Sequence, residues 1–355
     1  MANFMNARVI LQSRPGEANK PSKDNFAYEE IPYPNKQLQD GEVLIENLYL
    51  SLDPALRCRM NANSGVEYMK AWEIGETIHG LGGIGRVTAT AAPDFSVGEL
   101  VGFTFEWPWQ LYFTISSQQI QKIPKEICSL SPTLYLSVFG LTGLTAYFGI
   151  KKRSFICKGS KPTMVISGAG MYYFSASSQI AKAEGCGILI GICGTDDKCQ
   201  WLTSELGFDA AINYKTQSVS EKLQELCPGG VDIYFDNVGG DISNEVIRQM
   251  NTNSYIVLCG QIAMYNKDVP YPPPLPDDIA EILNQKGISR DRYLVLQYEK
   301  EFDSAVSDLL KLYISGKIKA KETIETGLIN AGKAFVSMME GRNIGKQLVK
   351  VSDKN

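Results

Sequence analysis

Histidine is almost missing from this chain: His79 is the only one in 355 residues. That removes Ser-His-Asp and Cys-His catalysis unless His79 itself serves, and nothing around it suggests a triad. It also removes most catalytic zinc chemistry, which usually draws on at least one histidine with cysteine or carboxylate nearby. The eight cysteines form no CxxC pair and no four-cysteine cluster. They are scattered, several in apolar runs such as Cys193 in ILIGICGT and Cys259 in YIVLCG, and read as buried reduced thiols. Charge of one sign is lacking too: a net charge of −4 gives no sequence-wide attraction to nucleic acid. The longest apolar stretch, Leu134 to Ile150, is broken by Gly140, Thr142, Gly143 and Thr145. It is short for a membrane span, so no membrane partner is expected and a buried helix is. The start, MANFMNARVILQS, shows no signal peptide and the end, VSDKN, no address signal, which makes the cytosol the expected location.

What is present is ordinary globular composition, 44% hydrophobic and 21% charged, in a chain too long for a single core, so two domains are expected. The first 130 or so residues carry short strand-like runs (ARVILQS, EVLIENLYLSL, GIGRVTAT) divided by Gly, Pro, Asn and Asp. From about Pro162 the pattern changes. TMVISGAG, ILIGICG, AAINY, VDIYFDNVGG and SYIVLCG are apolar strands, separated by helical stretches including FSASSQIAKAEG, KCQWLTSELG, 219–226 and ISNEVIRQM. Continuous apolar strands alternating with helices of about ten residues predict a parallel sheet covered on both faces. The fold class is therefore α/β: a Rossmann-type, doubly wound parallel sheet joined to a β-rich domain.

A dinucleotide site needs glycines directly after the first strand, where backbone approaches a pyrophosphate at a helix N-terminus. Here that place reads SGAGMYYFSAS. Gly168 and Gly170 are present, but Met171, Tyr172, Tyr173 and Phe174 follow. As a phosphate loop this is poor; the alternative is that MYYF packs the helix against the sheet. Lys198 follows the second strand in GTDDK, where a basic residue suits a 2′-phosphate and an acidic one a free ribose hydroxyl. It points to NADP rather than NAD, or it is a solvated lysine in a helix's first turn. Asp196 and Asp197 are expected to cap that helix. Tyr265, just past the last clear strand, stands where ligands bind in open α/β sheets, although a loop tyrosine is more often packing. YPPPLP (271–276) is a stiff connector or a loop flanking the site.

Longer stretches carry a resemblance. LYLSLDPALRCRMN (48–61), WPWQ (107–110), GLTGLTAYFGI (140–150), LTSELGFDAAINYK (202–215), VDIYFDNVGG (231–240), LCGQIAMYNKDVPYPPPLP (258–276) and NIGKQ (343–347) closely resemble the 15-oxo-prostaglandin 13-reductases, zinc-independent members of the medium-chain dehydrogenase/reductase superfamily. The resemblance runs over nearly the whole chain. It implies a chaperonin-10-like β-rich domain from 1–135 and 310–355, with a dinucleotide-binding domain from 136–309 between them. It implies NADP(H) as cofactor and metal-free reduction of a carbon–carbon double bond conjugated to a ketone, hydride going to the β-carbon. The substrate would be a small molecule, a lipid enone. By the same resemblance Tyr265 matches the pocket tyrosine, and Lys198 and Tyr214 the residues at the 2′-phosphate end. Asn237, Cys259, Gly260, Gln261, Tyr293, Val295 and Asn343 match other cofactor contacts, while Tyr68, Phe105 and Glu106 fall at or near the substrate pocket.

The departures from the family pattern cluster. The SGAAGACGSVAG-like loop is here SGAGMYYFSASS, with Met171, Phe174 and Ser178 for glycines. Ala55 stands for the tyrosine after Asp-Pro, Glu106 for an aromatic residue before WPWQ, and Thr142 for a proline. Two readings follow. One is an active NADPH-dependent enone reductase, favoured because Tyr265, Lys198, Tyr214 and Asn343 are in place. The other is a non-catalytic relative that keeps the fold as a ligand-binding or structural protein, favoured by bulky side chains where phosphate oxygens should lie. Glu106 would repel an anionic ligand if it faced one, or is an ion-paired surface residue.

Overall fold

The computed structural model describes residues 5–34, 37–65, 69–103, 105–156, 159–170, 172–267, 269 and 272–351, with backbone alone for 103 and 172–176. The expectations at Tyr68 and Met171 lie outside the described residues, as do the side chains of Tyr172, Tyr173 and Phe174. The chain divides into two units. One holds 1–136, 266–268 and 322–355; the other holds 137–265 and 269–321. The return to the first unit thus falls at Glu322, not near 310, because the helix Phe302–Ile314 and the turn after it stay with the second unit.

The second unit follows the alternation expected from its sequence. Thr163–Ser167 (β1), Tyr172–Glu184 (α1), Ile188–Cys193 (β2), Asp196–Glu205 (α2), Ala210–Asn213 (β3), Val219–Leu226 (α3), Val231–Asp236 (β4), Gly240–Arg248 (α4), Met250–Leu258 (β5), Asp277–Lys286 (α5) and Ser289–Arg292 (β6) succeed one another. The sheet runs β3-β2-β1-β4-β5-β6 and is parallel throughout, with Val165 opposite Ile190 on one side and Tyr234 on the other. This is the strand order of a dinucleotide-binding sheet, whose order reverses beside β1. Met164, Val165, Ile166, Ile190, Ile192 and Phe235 are buried because helices cover both faces, which explains runs apolar at every position rather than at alternate ones. Ser218 caps α3 by accepting from Glu221 N.

Two local expectations change. Thr195, not Asp196 or Asp197, caps α2: its hydroxyl accepts from Lys198 N, and the two aspartates occupy the first turn, where they favour the helix dipole. The stretch 134–150 is not one helix. A 3-10 turn, Pro132–Tyr135, is separated from the helix Leu141–Phe148 by a break in which Gly140 is extended. Gly143 is needed there, since a Cβ would lie 1.8 Å from the Val138 carbonyl oxygen. Among the described residues no helix is long and apolar enough to cross a membrane.

The first unit is built on a seven-stranded sheet. Its path runs Glu322–Thr326, Lys346–Lys350, Glu42–Ser51, Gly83–Thr90, Leu100–Phe103 and Gln121–Lys122, with Tyr112–Ser116 also paired to Glu42–Ser51. Trp107, Trp109, Ile45, Leu50 and Phe335 pack in its core. Trp107 fits only because Gly83 has no side chain: a Cβ there would lie 2.1 Å from the indole nitrogen, which donates to Asn47 Oδ1 at 3.0 Å. Gly83→Ala is expected to destabilise this unit by about 1–3 kcal/mol, since the indole must leave its hydrogen bond or the strand must shift. An unchanged urea midpoint would show that Trp107 moves at no cost.

Candidate functional site

The sequence-predicted residues of the second unit gather at the carboxyl ends of its strands. β1 ends at Ser167 and turns through Gly168 (φ 67°) into α1. Gly170 is covered by the stem of Lys198: a Cβ on that glycine would meet Lys198 Cδ at 2.5 Å. Lys198 is buried, although its type is rarely so. Burial pulls its ammonium below the ordinary lysine value, Cys193 opposes this, and the neighbouring Lys215 adds to it. One strand over, Tyr214 lies against Gly194, where a Cβ would come within 3.0 Å of Cε1 and 3.1 Å of the hydroxyl. The Tyr214 amide donates to the Cys193 carbonyl at 3.0 Å, tying the end of β3 to the end of β2. Asn213 Nδ2 donates to Asp196 Oδ1 at 2.7 Å, which turns that carboxylate toward β3. The fold thus assembles a buried cation and a half-exposed phenol, each lying on a glycine where a side chain would not fit.

A second group forms where β4 and β5 end. Buried Asp236 takes the Tyr234 and Ser243 hydroxyls at 3.0 and 2.8 Å, and the amides of Val238 and Gly239 at 3.1 and 3.0 Å. Burial, with this carboxylate beside it, holds the Tyr234 phenol well above its ordinary value, so it stays a donor. Asn237 Nδ2 donates to the Ser167 and Phe235 carbonyls at 2.8 and 3.2 Å, fixing the side chain. Its Oδ1 is buried without a partner, as is Gln261 Oε1. Two acceptors left so at the edge of a sheet are an unmet demand for N–H or O–H donors. The amides of Cys259 and Gly260 both donate to the Asp236 carbonyl, at 2.9 and 3.1 Å. A 3-10 turn, Ile262–Met264, then carries Tyr265 back, so that its hydroxyl would be 3.5 Å from a Cβ on Gly260. Tyr293 and Val295 are buried, and the Tyr293 hydroxyl donates to the Thr145 carbonyl, so backbone and ring faces are what that run can offer a ligand.

In the first unit, Asn343 is buried with Nδ2 on the Gly345 carbonyl at 2.8 Å and Oδ1 without a partner. Phe105 packs partly buried on the apolar core. Glu106 has a left-handed backbone (φ 58°) and is ion-paired with buried Arg59, Oε1 to Nη2 at 2.9 Å. Arg59 also donates to the Lys70 and His79 carbonyls at 2.8 and 3.0 Å and lies over the Trp72 ring. The ion-paired reading of Glu106 is the one this geometry gives. Burial lowers the His79 imidazole below its ordinary value, which leaves it neutral at pH 7. Sequence reasoning missed Arg59, Thr195 and Gly194, against which Tyr214 lies. Only Thr195, directly before an acidic helical turn, left a local signal. Among the described residues, no three or more His, Cys, Asp or Glu side chains are grouped to hold a metal ion.

Residues 7–123 match the family described as the N-terminal domain of oxidoreductase, and residues 175–304 that described as zinc-binding dehydrogenase. Prostaglandin reductase 1 of Bos taurus is 35% identical over 336 residues, covering 93% of this chain and 95% of its own. The NADPH-dependent curcumin reductase of Escherichia coli (strain K12) is 31% identical over 98% of this chain and 97% of its own. The crystal structure of CurA from Vibrio vulnificus in complex with NADPH superposes with a TM-score of 0.87 at 33% identity, over 98% of this chain and 99% of that one.

Proposed function

The chain belongs to the zinc-independent medium-chain dehydrogenase/reductase family, and from that premise we propose that it uses NADPH to reduce the carbon–carbon double bond of an enone, such as a 15-oxo-prostaglandin. The observation that carries this is the placement of buried Lys198 on Gly170, beyond β2, and of Tyr214 on Gly194, beyond β3. The residues present fit the cofactor. Lys198 and Tyr214 would hold the 2′-phosphate. The orphan acceptors Asn237 Oδ1 and Gln261 Oε1 would take donors from the nicotinamide half. When bound, NADPH supplies the hydride that goes to the β-carbon. The protein's task is then the charge that develops on the ketone oxygen. The Tyr265 hydroxyl donates to that oxygen, stabilising the enolate before it is protonated at carbon.

Tyr265→Phe is expected to lower kcat by about 100- to 1000-fold with the Kd for NADPH unchanged, the loss typical of one oxyanion donor. Equal loss in kcat and NADPH binding would instead make Tyr265 a cofactor residue. The reading as a whole is tested by titrating the protein with NADPH and NADH by nucleotide fluorescence, then following NADPH oxidation with 15-oxo-prostaglandins and simpler enones. Saturable binding that prefers NADPH, with turnover, supports it. A second reading, a non-catalytic ligand-binding relative, is favoured by Met171, Tyr172, Tyr173 and Phe174 in the phosphate loop. Absence of binding at millimolar nucleotide would establish that one and sink the first.

A further inference from the structure

The sequence suggests inert thiols, and most of the described cysteines fit that: Cys58, Cys186 and Cys227 are buried, and burial pushes each thiol up. Cys193 and Cys199 differ. Cys193 is the last residue of β2 and is buried; Cys199 lies in the first turns of α2 and is half-buried. Their sulfurs are 3.2 Å apart, in direct contact. A disulfide needs a separation of about 2.0 Å, so closure asks roughly 1 Å of two side chains at the end of a strand and the start of a helix. The two thiols are not equivalent. Either thiol can donate to the other across this contact; when Cys199 ionises, the Cys193 S–H donates to its sulfur, which holds the Cys199 thiol below its ordinary value and raises that of Cys193. Cys199, the more accessible, is therefore also the more nucleophilic.

The five residues between them are Gly194, on which the Tyr214 ring lies, Thr195, which caps α2, Asp196, Asp197 and Lys198. We propose that Cys193 and Cys199 are a peroxide-sensitive thiol pair whose disulfide weakens NADPH binding through Lys198. The Cys199 thiolate attacks one peroxide oxygen, the O–O bond breaks, and a sulfenic acid and water result. The Cys193 sulfur then displaces the hydroxyl from Cys199 and its proton leaves with it as a second water. Two thiols lose two electrons and two protons, and hydrogen peroxide is reduced to two waters. Closure draws the first turn of α2 toward β2. Lys198, next to Cys199 and packed tightly over Gly170, must shift with it. The effect on NADPH rests on the cofactor reading above; formation of the bond does not.

The experiment treats the full chain with hydrogen peroxide, maps cross-linked peptides by mass spectrometry, and titrates NADPH and NADH before oxidation, after it, and after dithiothreitol. The expected result is a Cys193–Cys199 link, a Kd for NADPH raised by about tenfold, the scale of a weakened charge-assisted contact, little change for NADH, and recovery on reduction. Cys199→Ser, or Cys193→Ala should that variant fold poorly, is expected to keep its NADPH affinity in peroxide. Failure to form the link under conditions that oxidise other thiols overturns the thiol pair. A link with unchanged NADPH affinity overturns its coupling to Lys198, as does equal peroxide sensitivity in the variants. Reduced protein with no preference for NADPH over NADH sinks the cofactor reading instead, while the mapped link still decides the pair.

Discussion

Replacing Lys198 by alanine is expected to raise the Kd for NADPH by about 10- to 100-fold and leave that for NADH within about twofold. The size follows from losing a charge-assisted contact to the 2′-phosphate, worth about 1.5–3 kcal/mol, at 1.4 kcal/mol per factor of ten. The selectivity follows from position. Lys198 stands beyond β2, which on the proposed cofactor reading is the adenosine end, where NAD and NADP differ. Its stem also covers Gly170, so alanine removes packing as well as charge. Lys198→Met keeps the stem and isolates the charge; it should lose NADPH affinity almost as far. Nucleotide fluorescence checks both. Equal weakening of NADPH and NADH by the methionine variant would mean that Lys198 organises the turn and does not recognise phosphate.

A comparable effect, on stability, is expected at Lys346. Its ammonium is buried in an ion pair with Asp53, both side chains almost fully enclosed, and it donates to the Leu52 carbonyl at 3.2 Å. Asp53 accepts the Ser51 hydroxyl at 2.6 Å. The pair fastens the strand Lys346–Lys350 to the segment that leads into Ala55 and Arg57. Lys346→Met leaves the Asp53 carboxylate buried without its cation and should cost about 3–5 kcal/mol. Adding Asp53→Leu should restore most of that, because a matched apolar pair avoids both desolvation penalties. Urea unfolding of the single and double variants decides it. A single variant that loses under about 1 kcal/mol would show that water reaches the carboxylate.

The alternation of β1 to β5 was readable because buried parallel strands are apolar on both faces. The grouping of Asn237, Cys259 to Gln261 and Tyr265 was readable through the resemblance and through the rule that sites lie beyond strand ends. What escaped is what depends on distant partners. For Glu106 the sequence left two readings open, a changed ligand or an ion-paired residue, and Arg59, far from it in sequence, is the partner that favours the second. Cys193 and Cys199 sit in no recognised motif; their contact arises from a strand end meeting a helix turn. The cap of α2 was misplaced by one residue because Asp favours both the cap and the first turn, and backbone geometry chose Thr195. The break before Leu141 was misjudged because apolar content is the same in a broken helix as in a continuous one.

The order in which the first sheet gains its strands has a consequence during synthesis. Glu42–Ser51 is covered along one edge by two different pieces: Tyr112–Ser116 pairs with Glu42–Glu46, and Lys346–Lys350 pairs with Tyr49–Ser51. The first piece leaves the ribosome early. The second is made after every strand of the parallel sheet, including Ser289–Arg292. The nascent chain therefore carries the Tyr49–Ser51 part of that edge open while the whole parallel sheet is made, with amides and carbonyls that another chain could pair with. Closing the sheet is thus a race between the arrival of Lys346–Lys350 and capture of that edge by a neighbour.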